Sequence, residues 1–217
     1  MFLELPASPD ASPPDSAATA QSRPERYLAL IAESAGRLLA AEDAATMVED
    51  LFELIRAELK LDVFTNFRFE PADGKLTLVA YSGFTDAEAQ EVATLTFGQA
   101  VCGCAARDRQ PMHATDIQAS DEPLTAFVRA IGLNAYACTP LIWGDALLGT
   151  LGFGRRSPAR FDADELKFLH TACRYVALAK HRLMIEDELR ASLVAKERLL
   201  SELNHRVRNS LQLVASL

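Results

Sequence analysis

The sequence predicts an α+β domain, an antiparallel sheet with flanking helices, that continues into one long C-terminal coiled-coil helix. Three observations carry this. Apolar residues alternate at a period of two through one hairpin and fill two strongly apolar strands in a second, each closed by a Gly-containing turn. Helical periods precede the first hairpin and follow the second. The closing helical stretch is longer than any single domain needs, so it must leave the domain as a stalk.

The chain has 217 residues, of which 49% are hydrophobic and 24% charged, the balance of an ordinary soluble globular protein. A net charge of −8 disfavours general nucleic-acid binding. No apolar run approaches the roughly 18 residues that a membrane span requires. The first residues, Met1 to Pro6, lack the basic start and apolar stretch of a signal peptide. A cytoplasmic chain is expected, with Cys102, Cys104, Cys138 and Cys173 reduced.

Residues 1–24 hold five of the ten prolines, have little to bury, and read as a disordered lead-in. From Glu25 onward, Tyr27, Ile31, Ala35 and Leu38 follow a helical period. The pattern breaks at Ala41 to Asp43, and a second helix places Met47, Leu51, Leu54, Ile55 and Leu59 on one face. Val63, Thr65, Phe67 and Phe69 then alternate with Asn66, Arg68 and Glu70. Pro71 to Gly74 forms a turn, and Leu76, Leu78 and Ala80 continue the alternation.

The middle of the chain is mixed. A short helix is expected over 88–93, a strand over 95–97, a helix over 100–107, an extended segment over 111–115 and a helix over 123–131 that opens on proline. Two apolar strands, 135–143 and 146–153, follow around a Gly144–Asp145 turn. Pro140 implies an edge or a bulge. The last helix opens after Phe161, with Asp162 as N-cap and Glu165 at capping-box spacing. It runs for about 55 residues, or roughly 80 Å. This order gives an antiparallel sheet with helices on one face.

Three stretches resemble the GAF family of small-molecule sensor domains: Gly98 to Ala106, Pro111 to Gln118, and the hairpin Ala135 to Phe153 with its Pro-Leu, Gly turn and apolar-Gly-x-Leu pattern. The resemblance covers about residues 27–182 and implies a sensor domain over 25–182. Tyr81, Phe127, Tyr136 and Cys138 are candidates to line its pocket, each equally explained as core. Cys102, Cys104, Cys138 and His113 lack metal-site spacing, so no metal is expected. A bilin is disfavoured, because Asp116-Ile117-Gln118 lacks the proline of the phytochrome motif and no cysteine is followed by His.

The closing helix carries an a/d seam. Leu193, Leu200, Val207 and Val214 recur every seven residues, and Leu189, Leu203 and Leu217 take the companion position. His205 then faces outward. Ser201, Glu202, Arg208 and Asn209 lie three or four residues away on its face, around a group that is nucleophilic near neutral pH. The run Glu202 to Leu211 resembles the phosphoacceptor box of sensor histidine kinases of the HWE type and their near relatives, with His-Arg-x-Arg-Asn.

That second resemblance implies a role for each residue. His205 takes the γ-phosphoryl group of ATP on a ring nitrogen, in a reaction governed by positioning and charge stabilisation. Arg206 and Arg208 neutralise phosphoryl oxygens, and Asn209 orients the imidazole or meets the catalytic domain; apart from the resemblance, the place of Glu202 one turn before His205 assigns it to the other ring nitrogen. The phosphoryl group then passes to an aspartate on the receiver domain of a response regulator. The seam implies a homodimer built as a four-helix bundle, of which residues 183–217 are the signalling and first helix. The ATP site is expected on a kinase catalytic domain downstream. The only glycine-rich run, Gly149 to Gly154, lies on a strand without Lys-Ser/Thr and reads as sheet packing.

A three-residue slip in the seam between Leu183 and Leu193 crosses Glu186 to Arg190. It is either a solvated charged patch or a joint that converts sensor rotation into a change of register. Two other functions compete. One is a non-enzymatic ligand-binding module with a dimerising tail. The other is an enzyme of the free methionine sulfoxide reductase sort, on the same fold, for which Cys102 and Cys138 supply the candidate thiols.

Overall fold

Hairpin chemistry sets the sheet. The computed structural model describes residues 23–41 and 44–215, with side chains over 25–41 and 46–205; the expected lead-in over 1–24 lies almost wholly outside them. The first hairpin pairs β1 (Val63–Glu70) with β2 (Lys75–Ser82), and the second pairs β5 (Ala135–Trp143) with β6 (Ala146–Arg155). The two hairpins join through β1 and β6, antiparallel, with Thr65 opposite Gly152. Short edge strands β3 (Thr94–Thr96) and β4 (Met112–Ala114) complete a six-stranded sheet in the order β3-β2-β1-β6-β5-β4. Pro140 stays in register with Thr150, beyond the reach of β4, and the irregularity falls one step later, between Leu141 and Ile142.

Helices α1 (Arg23–Ala40), α2 (Ala44–Leu59) and α6 (Ala163–Ala215) cover one face. Tyr27, Leu38, Met47, Leu51, Ile55 and Leu59 pack there with Phe64, Ala137, Leu151 and Phe153 of the sheet and Phe168, Ala172 and Val176 of α6. The expectation of helices on one face alone needs correcting. Helices α3 (Asp86–Glu91), α4 (Ala100–Asp108) and α5 (Ala126–Ala130) cover the other face, because Val101, Ala105, Val128 and Ile131 give the middle segment an apolar side of its own. The helix expected over 123–131 is split, as Pro123–Thr125 forms a 3-10 turn before α5 begins.

A sheet covered on both sides buries residues that alternation alone would expose. Asn66 is buried beneath α6 and accepts a hydrogen bond from Lys180 Nζ at 2.9 Å. The start of α6 is fixed by the expected capping box: Glu165 N–H donates to Asp162 Oδ1 at 2.9 Å, and Asp162 N–H donates to Glu165 Oε2 at 2.8 Å. Glu165 also receives the buried Arg155 guanidinium at 2.8 and 3.0 Å. Arg155 donates further to Leu59 O and Arg160 O and lies 4.1 Å above the Phe161 ring. One guanidinium thus ties the end of β6, the end of α2 and the root of α6.

Among the described side chains of α6, Leu183 is the last that is buried, and every one over 187–205 is exposed. The whole helix of 53 residues spans about 80 Å at 1.5 Å per residue.

Candidate functional site

The face of the sheet under α4 and α5 closes around a cavity of about 20 Å³, lined by β1 (Val63, Thr65, Phe67), by Cys102 of α4, by Phe127 of α5 and by Tyr136 of β5. Alternation puts Val63, Thr65 and Phe67 on this face together. Tyr136 lies flat across the neighbouring strand because that strand has glycine beneath it. A Cβ on Gly152 would stand 1.9 Å from Tyr136 Oη, and one on Gly154 would stand 3.1 Å from Tyr136 Cδ2. The Gly149 to Gly154 run is thus a packing notch within β6, as its strand context implies.

Across that notch the Tyr136 hydroxyl meets Thr65 Oγ1 at 2.6 Å and Cys102 Sγ at 3.2 Å. Cys138, two residues along β5 and on the same face, donates its S–H to Cys102 Sγ at 3.4 Å. Thr65, Cys102 and Tyr136 are the polar floor of an otherwise apolar cavity, with Cys138 behind them. Hydrogen bonds, the one from Cys138 foremost, hold the Cys102 thiol below its ordinary pKa against the opposing cost of burial. Burial pushes the Cys138 thiol and the Tyr136 phenol well above theirs.

The four sequence candidates for the pocket fare differently. Phe127 and Tyr136 line the cavity, and Cys138 lies behind Cys102. Tyr81 stands outside, stacked on Phe84 at 4.9 Å with its hydroxyl donating to Asp86 at 2.7 Å; Phe84 in turn meets Phe127 edge-on at 5.6 Å. Tyr81 therefore closes the rim at second hand. Thr65 was not among the candidates, and Cys102 was named, beside Cys138, only for a reductase-type thiol pair. Thr65 was legible from its place between Val63 and Phe67, whereas the helical partner of Cys138 has no local signal. Cys104 instead donates to Gly98 O at 3.3 Å, and among the described residues no three His, Cys, Asp or Glu side chains converge. Gln118 ties the loop before α5, donating to Leu133 O at 2.7 Å and Arg129 O at 2.9 Å.

His205 lies on α6, exposed, 22 residues beyond Leu183, or roughly 33 Å along the axis. Ser201 and Glu202 share its exposed turn. Arg206, Arg208 and Asn209 continue the helix, and their side chains, like those of Val207 and Val214, lie outside the described ones; Leu217 lies outside the described residues altogether. Of the seam, Leu189, Leu193, Leu200 and Leu203 are 51–59% exposed. At the slip in the seam, Glu186 meets Arg182 at 3.6 Å and Arg190 at 3.8 Å, and Arg190 meets Asp187 at 3.1 Å. Such exposed pairs are worth about 0–1 kcal/mol each. Among the described residues no helix is long and apolar enough to cross a membrane.

Solved structures share this fold at low identity. The GAF domain of a phosphoenolpyruvate-protein phosphotransferase from Coxiella burnetii superposes with a TM-score of 0.66 at 18% identity, covering 77% of this chain and 99% of that one. Free methionine-R-sulfoxide reductase from Neisseria meningitidis gives 0.60 at 14%, covering 70% and 87%. A domain described as belonging to a two-component sensor histidine kinase from Sinorhizobium meliloti gives 0.53 at 19%, covering 65% and 93%. No curated protein matches the sequence. Residues 41–180 match the family model of the GAF domain, and the chain belongs to the GAF domain family.

Proposed function

We propose that the chain is the sensory and phosphoacceptor portion of a two-component sensor histidine kinase. Its GAF domain controls ATP-dependent phosphorylation of His205, and the phosphoryl group then passes to an aspartate on a response regulator receiver domain. One observation carries the reading: His205 stands exposed on a helix that runs unbroken from the domain's own capping box. A phosphoacceptor must meet a catalytic domain and then a receiver, and an outward histidine on a stalk is open to both. ATP is bound by a separate kinase catalytic domain.

The roles assigned by resemblance follow the same line. Arg206 and Arg208 neutralise the transferred group, and Asn209 orients the ring or meets the catalytic domain; Glu202, placed by its helical spacing and not by the resemblance, holds the second ring nitrogen. The exposed leucines at 189, 193, 200 and 203 form half of a seam, which a second copy of the chain completes in a homodimer.

A second reading, a non-enzymatic ligand-binding module with a dimerising helix, rests on the same leucine stripe, which needs no histidine. The chain should be mixed with a purified kinase catalytic domain of the HWE type and labelled ATP. Acid-labile phosphate on His205, abolished in His205→Gln and slowed in Glu202→Ala, is the expected result. Absence of label from the wild-type chain leaves the binding module as the function.

A further inference from the structure

We infer that Cys102 and Cys138 form a two-electron redox site that hydrogen peroxide oxidises to a disulfide through the cavity. This stands apart from the phosphoacceptor reading and holds whether or not His205 is phosphorylated. Three observations carry it. The two sulfurs are 3.4 Å apart, in contact but unbonded. They come from different layers, Cys102 from α4 and Cys138 from β5. Cys102 lines the cavity while Cys138 lies behind it, so a molecule that enters meets Cys102 first.

The surroundings divide the labour in the same direction. Cys138 S–H donates to Cys102 Sγ, and the Tyr136 hydroxyl lies 3.2 Å from it. Donors aimed at a sulfur favour its thiolate, the nucleophilic form. Cys138 is buried and keeps its proton, which suits the thiol that resolves the intermediate. The Tyr136 and Thr65 hydroxyls, 2.6 Å apart, offer hydrogen bonds to an oxygen held beside Cys102.

The chemistry balances. The Cys102 thiolate attacks one peroxide oxygen and the O–O bond breaks. The leaving oxygen takes the proton that Cys102 gave up and departs as water, and Cys102 becomes a sulfenic acid. The Cys138 sulfur then attacks the Cys102 sulfur. The S–O bond breaks, and a second water leaves with the Cys138 proton. Two thiols and one hydrogen peroxide give one disulfide and two waters, and the two electrons come from the sulfur pair. A small external dithiol reverses the change by exchange.

The cavity selects the oxidant by size. A volume of about 20 Å³ exceeds by little the ~10–15 Å³ that one water requires. Hydrogen peroxide, with two heavy atoms, is admitted where an aryl hydroperoxide or free methionine sulfoxide is not. Bond formation also moves the layers. A disulfide is about 2.05 Å long, so the sulfurs must close by about 1.4 Å, drawing α4 and β5 together.

The experiment exposes the reduced 217-residue chain to equimolar hydrogen peroxide, cumene hydroperoxide or methionine sulfoxide, then alkylates it and maps its peptides without reduction. With hydrogen peroxide the expected product is a Cys102–Cys138 linked peptide, with Cys104 and Cys173 alkylated, formed at least tenfold faster than with either bulkier oxidant. Cys138→Ala should stop at a Cys102 sulfenic acid trapped by dimedone, and Cys102→Ala should leave Cys138 a free thiol. A wild-type chain that keeps Cys102 alkylatable, or that links another cysteine pair, overturns the site. Equal or faster reaction with a bulkier oxidant overturns the oxidant. The wild-type map decides even if a variant does not fold.

Discussion

Lys180 joins α6 to the centre of the sheet, and its titration offers a measure of that joint. Its Nζ donates to Asn66 Oδ1 at 2.9 Å, and Asn66 is buried. Burial foremost, and then the charge of Arg68, pull its pKa down from 10.5 to about 8, with Cys173 acting weakly the other way. Cys173, pushed up to about 12 by burial, remains a neutral thiol throughout this range. Between pH 8 and 10.5 the unfolded chain therefore carries a proton on this lysine that the folded chain has lost. The contribution of Lys180 to stability therefore rises with pH across that window, while the buried thiols of Cys138 and Cys173, held above their ordinary pKa, contribute with the opposite sign in both proteins compared below. The gain is complete above the unfolded pKa and absent below about 8. Its upper bound is about 3 kcal/mol, reduced by whatever solvent the part-buried side chain still meets.

Lys180→Met keeps the aliphatic stem and removes the titration. It also leaves Asn66 Oδ1 without this donor, at a pH-independent cost of roughly 1–3 kcal/mol. The two terms nearly cancel at pH 7, whereas by pH 10 the variant should be the less stable by about 1–3 kcal/mol. Urea unfolding of both proteins at pH 7, 8, 9 and 10 gives the difference curve, in which all shared titrations drop out. Parallel stability curves would refute the assignment of a depressed, buried amine.

Two further outcomes are expected. Arg155→Met strands a buried Glu165 carboxylate and should cost about 3–5 kcal/mol in urea unfolding, much of it recovered in Arg155→Met/Glu165→Leu; a loss below about 1 kcal/mol would mean that the root of α6 does not depend on this pair. Leu200→Asp removes one apolar side chain from each copy in the proposed dimer, about 1.5–3 kcal/mol apiece, and should weaken self-association at least a hundredfold in sedimentation equilibrium; an unchanged dimer would exclude the leucine stripe as its seam.

Much of the architecture was written locally. Period-two alternation located the first hairpin, the Gly144–Asp145 turn between two apolar runs located the second, and the Asp162 to Glu165 spacing located the start of α6, because these signals depend on near neighbours in the chain. What the sequence concealed depends on distant partners. Asn66 reads as an outward polar residue of a strand, yet it is buried, because Lys180 arrives from 114 residues away. Arg155 looks like a charged strand terminus and is instead enclosed by carbonyls of two other segments. Cys102 and Cys138 share no spacing rule, since α4 and β5 meet only once the sheet has closed. Tyr81 was placed at the pocket by its aromatic character, and it reaches the cavity wall only through Phe84.

The same alternation that hid Asn66 explains how the cavity and the stalk are joined. Successive residues of a strand face opposite layers. In β1, Thr65 faces the cavity floor, and the next residue, Asn66, holds Lys180 of α6. In β5, Tyr136 and Cys138 face the cavity, while Ala137 between them packs in the core against α6. A close-packed interior does not absorb a displacement of an ångström by yielding locally. A shift of either strand imposed from the cavity must therefore displace what lies on its other face. The apolar contact at Ala137 can slide, since dispersion is nearly indifferent to small lateral moves. The Lys180–Asn66 hydrogen bond cannot, because it weakens steeply with angle and distance. It is the directional contact between β1 and α6, as the Arg155–Glu165 pair is between β6 and the root of α6.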